Sequence, residues 1–238
     1  MSRSDSFDGR STSLSISAAT VADAAVAAVC ADADSRDLAQ EVRGVDSLHE
    51  RALQGLLETA FTAAGLYPLR EIRLPKRADE PIRSAGSRCD FVLRPIDRPL
   101  GHDAEALAAA AEPPSLFDDP DAPPPPSTLD PAEVFWLELK TGSACRDAGD
   151  TGDLASLPKR VKIDLARLAH DKAIHHAAVL VIAFGVDEPT LVAQAVALDH
   201  HAAAEGLPTQ GVVIRTAPIS DRHGNDTALI AVYPVGRV

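Results

Sequence analysis

Residues 133–140 read EVFWLELK, and the alternation within this stretch decides the fold. Side chains along a strand point to opposite faces in turn. Phe135, Leu137 and Leu139 therefore share one face, while Glu138 and Lys140 share the other. The apolar face packs. The opposite face presents an acid and a base two residues apart in a hydrophobic segment, and burying such charges is costly unless they are paired or liganded. Upstream, residues 88–93 read RCDFVL and set Asp90 on a second strand beside apolar Phe91 and Val92. If the two strands are neighbours, Asp90 and Glu138 converge as two hard oxygen donors. That pair suits Mg2+, which keeps several waters and takes one or two carboxylates together with substrate phosphate. Lys140 then stands where it can orient or deprotonate a water, or neutralise charge developing on a phosphate. Together the three residues assemble the chemistry of phosphodiester hydrolysis.

Outward from this pair, residues 18–43 are Ala-rich and helical in pattern. A helix is predicted over about Asp46 to Ala64, with Asp46 or Ser47 as N-cap, Glu50 completing a capping box with Ser47, and Gly65 as the stop. Strands are predicted over Leu69–Leu74 and Cys89–Leu93. Residues 97–131 then interrupt, holding half of the chain's 18 prolines and the run Pro123–Pro126. Such a segment forms neither a strand nor a long helix and reads as a low-complexity insertion. After the EVFWLELK strand come a Gly/Asp-rich loop over Gly142–Gly152 and a helix over about Pro158–His176. The continuous apolar run Val179–Phe184 follows, as in a central strand covered on both faces. A helix over Pro189–Ala204 precedes a hairpin of Gly211–Ala217 and Ala228–Tyr233 around Asp221–Asp226. The expected fold is α/β: three layers, α/β/α, around a central mixed sheet. Residues 1–46 read as an N-terminal disordered and Ala-rich helical extension, and residues 47–238 as the domain.

The length of 238 residues allows one sizeable domain, or one domain with a dispensable appendage, and 45% hydrophobic with 4% aromatic content implies an aliphatic core. The odd set Cys30, Cys89 and Cys145 has no CxxC spacing and argues against a disulfide framework or a zinc knuckle. With no membrane span and no secretory leader read from the sequence, a cytoplasmic location is expected. The net charge of −12 is unevenly spread. Residues 97–131 hold eight acids and one base, whereas residues 47–96 hold eight bases and six acids. The acidic segment reads either as a solubility device or as a flap that competes with a polyanion for the site.

A helix-borne Glu50, a strand-borne Asp90 and Glu138-Leu139-Lys140 on the next strand, followed by a helix and a hydrophobic strand, resemble the PD-(D/E)xK nuclease superfamily. The resemblance covers about residues 47–185. It implies a restriction-endonuclease-like core, with Asp90 and Glu138 as metal ligands and the Leu139 backbone carbonyl as a third. It also implies Lys140 as the catalytic lysine and Glu50 as the acid near the metal; Glu50 lies at the edge of its helix's apolar face, and Glu58 lies outside it. The cofactor implied is Mg2+, with Mn2+ as a substitute, and the substrate is nucleic acid, DNA before RNA. Two departures stand out. Cys89 occupies a position where the family often has proline, and Asp90 and Glu138 are 48 residues apart, a gap made mostly by the Pro-rich insertion.

Other signals are weaker. Arg88, Lys159, Arg160 and Lys162 are candidate nucleic-acid contacts, and Arg70, Arg73, Lys76, Arg77 and Arg83 make the 70–88 arm basic. Solvated surface is the competing reading for each. His175–His176 and His200–His201 are adjacent pairs that diverge by about 100° on a helix and do not converge on one metal. Gly142, Gly149 and Gly152 match no phosphate loop. With no helix-turn-helix or zinc finger in the sequence, specificity is expected from substrate shape or a protein partner. Against the nuclease stands a catalytically inactive binding or scaffolding module of the same fold.

Overall fold

The computed structural model describes residues 16–75, 88–101, 128–144, 154–220 and 224–236. Six strands form one mixed sheet: β1 (Tyr67–Arg73), β2 (Arg88–Arg94), β3 (Phe135–Ser143), β4 (His176–Gly185), β5 (Val213–Pro218) and β6 (Thr227–Pro234). Their spatial order is β1-β2-β3-β4-β6-β5. Only β3 and β4 pair in parallel; the other neighbours are antiparallel. The helices are α1 (Ala18–Leu38), α2 (Glu50–Ala63), α3 (Leu157–His170) and α4 (Glu188–Ala204).

The alternation in β3 divides the core in two. Phe135, Leu137 and Leu139 join Leu180, Ile182, Ile230 and Val232 in a cluster covered by α1 and α2. Val134 and Trp136 join Val179, Val181, Leu229 and Tyr233 in a second cluster under α3 and α4. The chain is thus an α/β protein with helices on both faces of a mixed sheet. The run in β4 is buried from Ala177 to Gly185, as a central strand between β3 and β6 must be.

α1 packs on α2, β5 and β6, with Val21, Ala22, Ala25 and Val29 fully buried. Ser17 caps it by accepting from the Thr20 amide, and Gln40 ends it with a left-handed φ of 53°, short of Gly44. α2 begins later than the sequence suggests. His49 is its N-cap, accepting from the Ala52 amide at 3.1 Å through Nδ1. Asp46 is instead buried, its Oδ2 accepting from Asn225 Nδ2 at 2.8 Å, and the Ser47 hydroxyl donates to the Gly44 carbonyl. Asn225 also donates to Ser143 Oγ at 3.1 Å, which ties the approach to α2 onto the end of β3. Freed from a capping box, Glu50 stands at the first position of the helix. Gly65, at φ 77°, closes α2 where expected, with the Leu66 amide returning to the Phe61 carbonyl. α3 stops at His170 rather than His176, because the Asp171 side chain accepts from the Ala173 amide and turns the chain into β4.

Of the insertion read over 97–131, residues 102–127 lie outside the described residues, as do residues 1–15, most of the Gly142–Gly152 loop and Asp221 in the last hairpin. The two roots of the insertion are joined: Leu100 and Leu129 are buried and form a parallel bridge, with the Gly101 amide on the Leu129 carbonyl. They leave the β2–β3 pair at its Leu93–Phe135 end, opposite to Asp90 and Glu138. Among the described residues no helix is long and apolar enough to cross a membrane.

Candidate active site

Strands β2 and β3 pair from Leu93–Phe135 to Phe91–Leu137 and then part. Asp90 and Glu138 are the next residues in register, so both sit where the sheet opens. The hairpin partner bends at the same level: Glu71, across from Asp90, has a left-handed φ of 55°, and regular pairing of β1 with β2 skips this one position. A non-glycine residue in that conformation is strained, and such strain persists only where its surroundings enforce it. The Asp90 side chain takes the place of the lost ladder, Oδ2 accepting from the Leu139 amide at 2.7 Å.

The opening lets groups from both helical layers meet. From α2, Gln54 donates to Asp90 Oδ1 at 2.9 Å and accepts from Arg70 Nη2 at 2.9 Å; Arg70 also pairs with Glu58 at 3.2 Å. From α3, Asp164 Oδ2 lies 3.0 Å from the Lys140 ammonium, and Asp164 Oδ1 lies 2.9 Å from Arg167 Nη2. Arg167 also lies against Glu138 Oε1, as an ion pair without hydrogen-bond alignment. Arg160 bridges the layers, with Nη2 3.2 Å from Glu50 Oε2 and Nη1 donating to the Thr141 carbonyl at 3.2 Å. Gly142 allows this closeness of α3 to β3, since a Cβ there would meet Leu157 Cδ2 at 3.3 Å.

Lys140 sits at the centre. Its ammonium donates to the Leu139 carbonyl at 2.8 Å and lies 3.5 Å from Glu138 Oε2 and 4.0 Å from Asp90 Oδ2. Asp90, Glu138, Lys140 and the Leu139 carbonyl therefore do meet. Glu50 joins them at the rim: burial raises its carboxyl above the ordinary range, with Lys140 opposing and Asp90 adding to the rise. Burial works against the Lys140 ammonium, but Asp164, Glu138 and Asp90 outweigh it and raise its pKa. The Cys89 thiol, beside Glu138 and Asp90, is pushed well up by burial and then by those acids, so it stays protonated.

Glu138 is 3% exposed, and its carboxyl is pushed up to about 8, first by burial and then by Asp90, with Arg167 and Lys140 pulling the other way. In the unfolded chain the same carboxyl titrates near 4.5. Between these values the folded protein holds a proton that the unfolded chain has lost. The contribution is fully present below pH 4.5 and disappears as pH rises through 8. In metal-free buffer the wild-type Tm should fall between pH 5 and pH 9 by roughly 10 °C more than that of Glu138→Gln. Parallel pH profiles of the two proteins would refute the shift.

The nucleic-acid candidates separate. Arg160 turns into the site, and Lys162, about 200° further round the helix, pairs with Glu205 at 2.6 Å. Lys159 and Arg88 are exposed, Arg88 donating to the Glu71 carbonyl. Lys76, Arg77 and Arg83 lie outside the described residues. The histidine pairs are exposed, as expected, and Trp136 is core, its indole donating to the Pro131 carbonyl. The sequence reading missed Asp164, Arg167 and Gln54. A signal for two of them exists: Arg160, Asp164 and Arg167 recur at i, i+4 and i+7 beside the buried stripe Leu157, Val161, Leu165 and Leu168. Among the described residues no three Asp, Glu, His or Cys side chains are grouped to hold a metal by themselves. A cation here would rest on two carboxylates and a carbonyl and complete its shell with water and phosphate, which is how Mg2+ is commonly held. No family model, curated protein or solved structure matches this chain.

Proposed function

We propose that the chain is a metal-dependent phosphodiester hydrolase acting on DNA, with a restriction-endonuclease-like core formed by α2, β1–β4 and α3. The observation that carries this reading is the meeting of Asp90, Glu138, Lys140 and the Leu139 carbonyl at the point where β2 and β3 part. Asp90, Glu138 and the Leu139 carbonyl would hold Mg2+ or Mn2+. Bound there, the ion supplies Lewis-acid polarisation of a phosphate oxygen and makes water a stronger acid. Lys140 orients the attacking water and offsets the charge gathering on phosphorus-bound oxygens. Gln54, itself held by Arg70, keeps the Asp90 carboxylate in place, as outer partners of metal ligands do. Glu50, fixed by Arg160, stands beside these groups and tunes their charge.

The test is thermal unfolding with and without Mn2+, followed by cleavage of duplex and single-stranded DNA and of RNA. Mn2+ at a hundredfold excess over Kd should stabilise the wild type by about 2.7 kcal/mol. Asp90→Ala should lose that shift, and an equal shift in the variant would remove Asp90 from the ligand set.

The second reading, a non-catalytic module of the same fold, has one observation in its favour. Two of the three acids already have an arginine of the chain beside them, Arg167 on Glu138 and Arg160 on Glu50. A Mn2+ shift lost in Asp90→Ala, with no cleavage of any polynucleotide, would select it.

A further inference from the structure

Lys140 and a divalent cation compete for the same oxygens. The ammonium lies within 4.0 Å of Asp90 Oδ2, Glu138 Oε2 and the Leu139 carbonyl, the three groups a cation would use. Its shortest contact is the hydrogen bond to the Leu139 carbonyl, at 2.8 Å. The ammonium lies closer to Asp164 Oδ2, at 3.0 Å, than to either of the other two carboxylates, on the side of the site that α3 covers. Asp164 is 7% exposed and belongs to the helix rather than to either splayed strand. Its other oxygen faces Arg167, so each oxygen of this buried carboxylate has its own cation. A buried carboxylate so paired is strongly held, and losing one partner leaves the other charge uncompensated.

We propose that Asp164 is a positioning residue: it holds the Lys140 ammonium from the α3 side, so that the ammonium can release Asp90, Glu138 and the Leu139 carbonyl to a divalent cation. The inference rests on the metal-dependent reading of this site. With Asp164 in place, metal entry requires only that the ammonium give up its contacts to Glu138, Asp90 and Leu139 while it keeps its nearest anion. Without that anion, the ammonium settles on Glu138 and Asp90 and becomes a resident competitor. Arg167 serves the same end by holding Asp164 from the next turn of α3.

The experiment is a Mn2+ titration of the full chain, followed by electron paramagnetic resonance, on wild type, Asp164→Asn, Lys140→Met and the double variant. Asp164→Asn should weaken Mn2+ binding about tenfold when Lys140 is present and by less than about threefold in the Lys140→Met background, a coupling typical of side chains in contact. Asp164→Glu, which keeps the anion, should bind within a few-fold of wild type. Equal weakening by Asp164→Asn in both backgrounds would show a simple through-space charge effect and overturn the proposal. If Asp164→Asn does not fold, Asp164→Ser takes its place in both backgrounds and is judged by the same outcomes. Mn2+ binding to none of the proteins would instead overturn the metal reading itself and this inference with it.

Discussion

On the proposed hydrolase reading, replacing Lys140 by alanine should lower phosphodiester cleavage by about 10²–10⁴-fold, the range found when a positioned proton-transfer or charge-stabilising group is removed. In barrier terms this is roughly 3–5 kcal/mol. The size follows from where the side chain stands. Its ammonium reaches both strand carboxylates and the Leu139 carbonyl from within a nearly dry site, where a fixed charge acts more strongly than in water. The fold should survive, because the main apolar contacts of β3 are made by Leu137 and Leu139 on the opposite face and by Trp136 next to the site. Far-UV circular dichroism and a cooperative melt establish that point, and single-turnover cleavage of a labelled duplex in Mg2+ gives the rate. Lys140→Arg keeps the charge but spreads it over a planar fork that cannot stand in for a compact ammonium, so it should recover little. Cleavage by Lys140→Ala at the wild-type rate would remove the lysine from the reaction.

Much of this site could be read from the sequence because strand alternation is a strong rule. Given β3 as a strand, Glu138 and Lys140 must share a face, and Asp90 on a neighbouring strand comes near them. The splay of β2 from β3 could not be read that way. It depends on Asp90 taking the Leu139 amide and on the left-handed turn at Glu71, a residue type with no preference for that conformation. Asp164 and Arg167 were hidden by their surroundings. Their place beside the apolar stripe of α3 is a weak signal, because charges there are equally at home on a solvated flank; the packing of α3 against β3 turns them inward. The start of α2 failed for a similar reason. Asp46 and Ser47 are good caps in isolation, but a buried Asn225 claims the Asp46 carboxylate, and a capping preference worth about 1 kcal/mol yields to a buried hydrogen bond.

Helix α1 carries the second large effect. Read as sequence, residues 18–38 offer alanine in place of a broad stripe of large apolar side chains, so they give little sign of a packing face. In the fold those small side chains allow a close approach to the sheet. Val21, Ala22, Ala25 and Val29 are fully buried over β5 and β6, and Asp23 pairs with Arg215 of β5 at 2.7 Å. Removing residues 1–40 would turn Ile230 and Val232 of β6, and Val213 of β5, toward water, together with the part of α2 that α1 covers. Each large apolar side chain uncovered costs about 1.5–3 kcal/mol. Several together reach the 5–15 kcal/mol that holds a typical domain. The truncated chain should therefore lose its cooperative melt and bind a hydrophobic dye. A gentler test keeps the full length. Val29→Asp sets an unpaired carboxylate at a fully buried position, at a cost of about 4 kcal/mol or more, and should lower the Tm by at least 10 °C. Val29→Ala should cost far less, because it leaves only a small cavity. A truncated chain that melts near the wild-type temperature, with Mn2+ still stabilising it, would mean that the sheet and its site stand without α1.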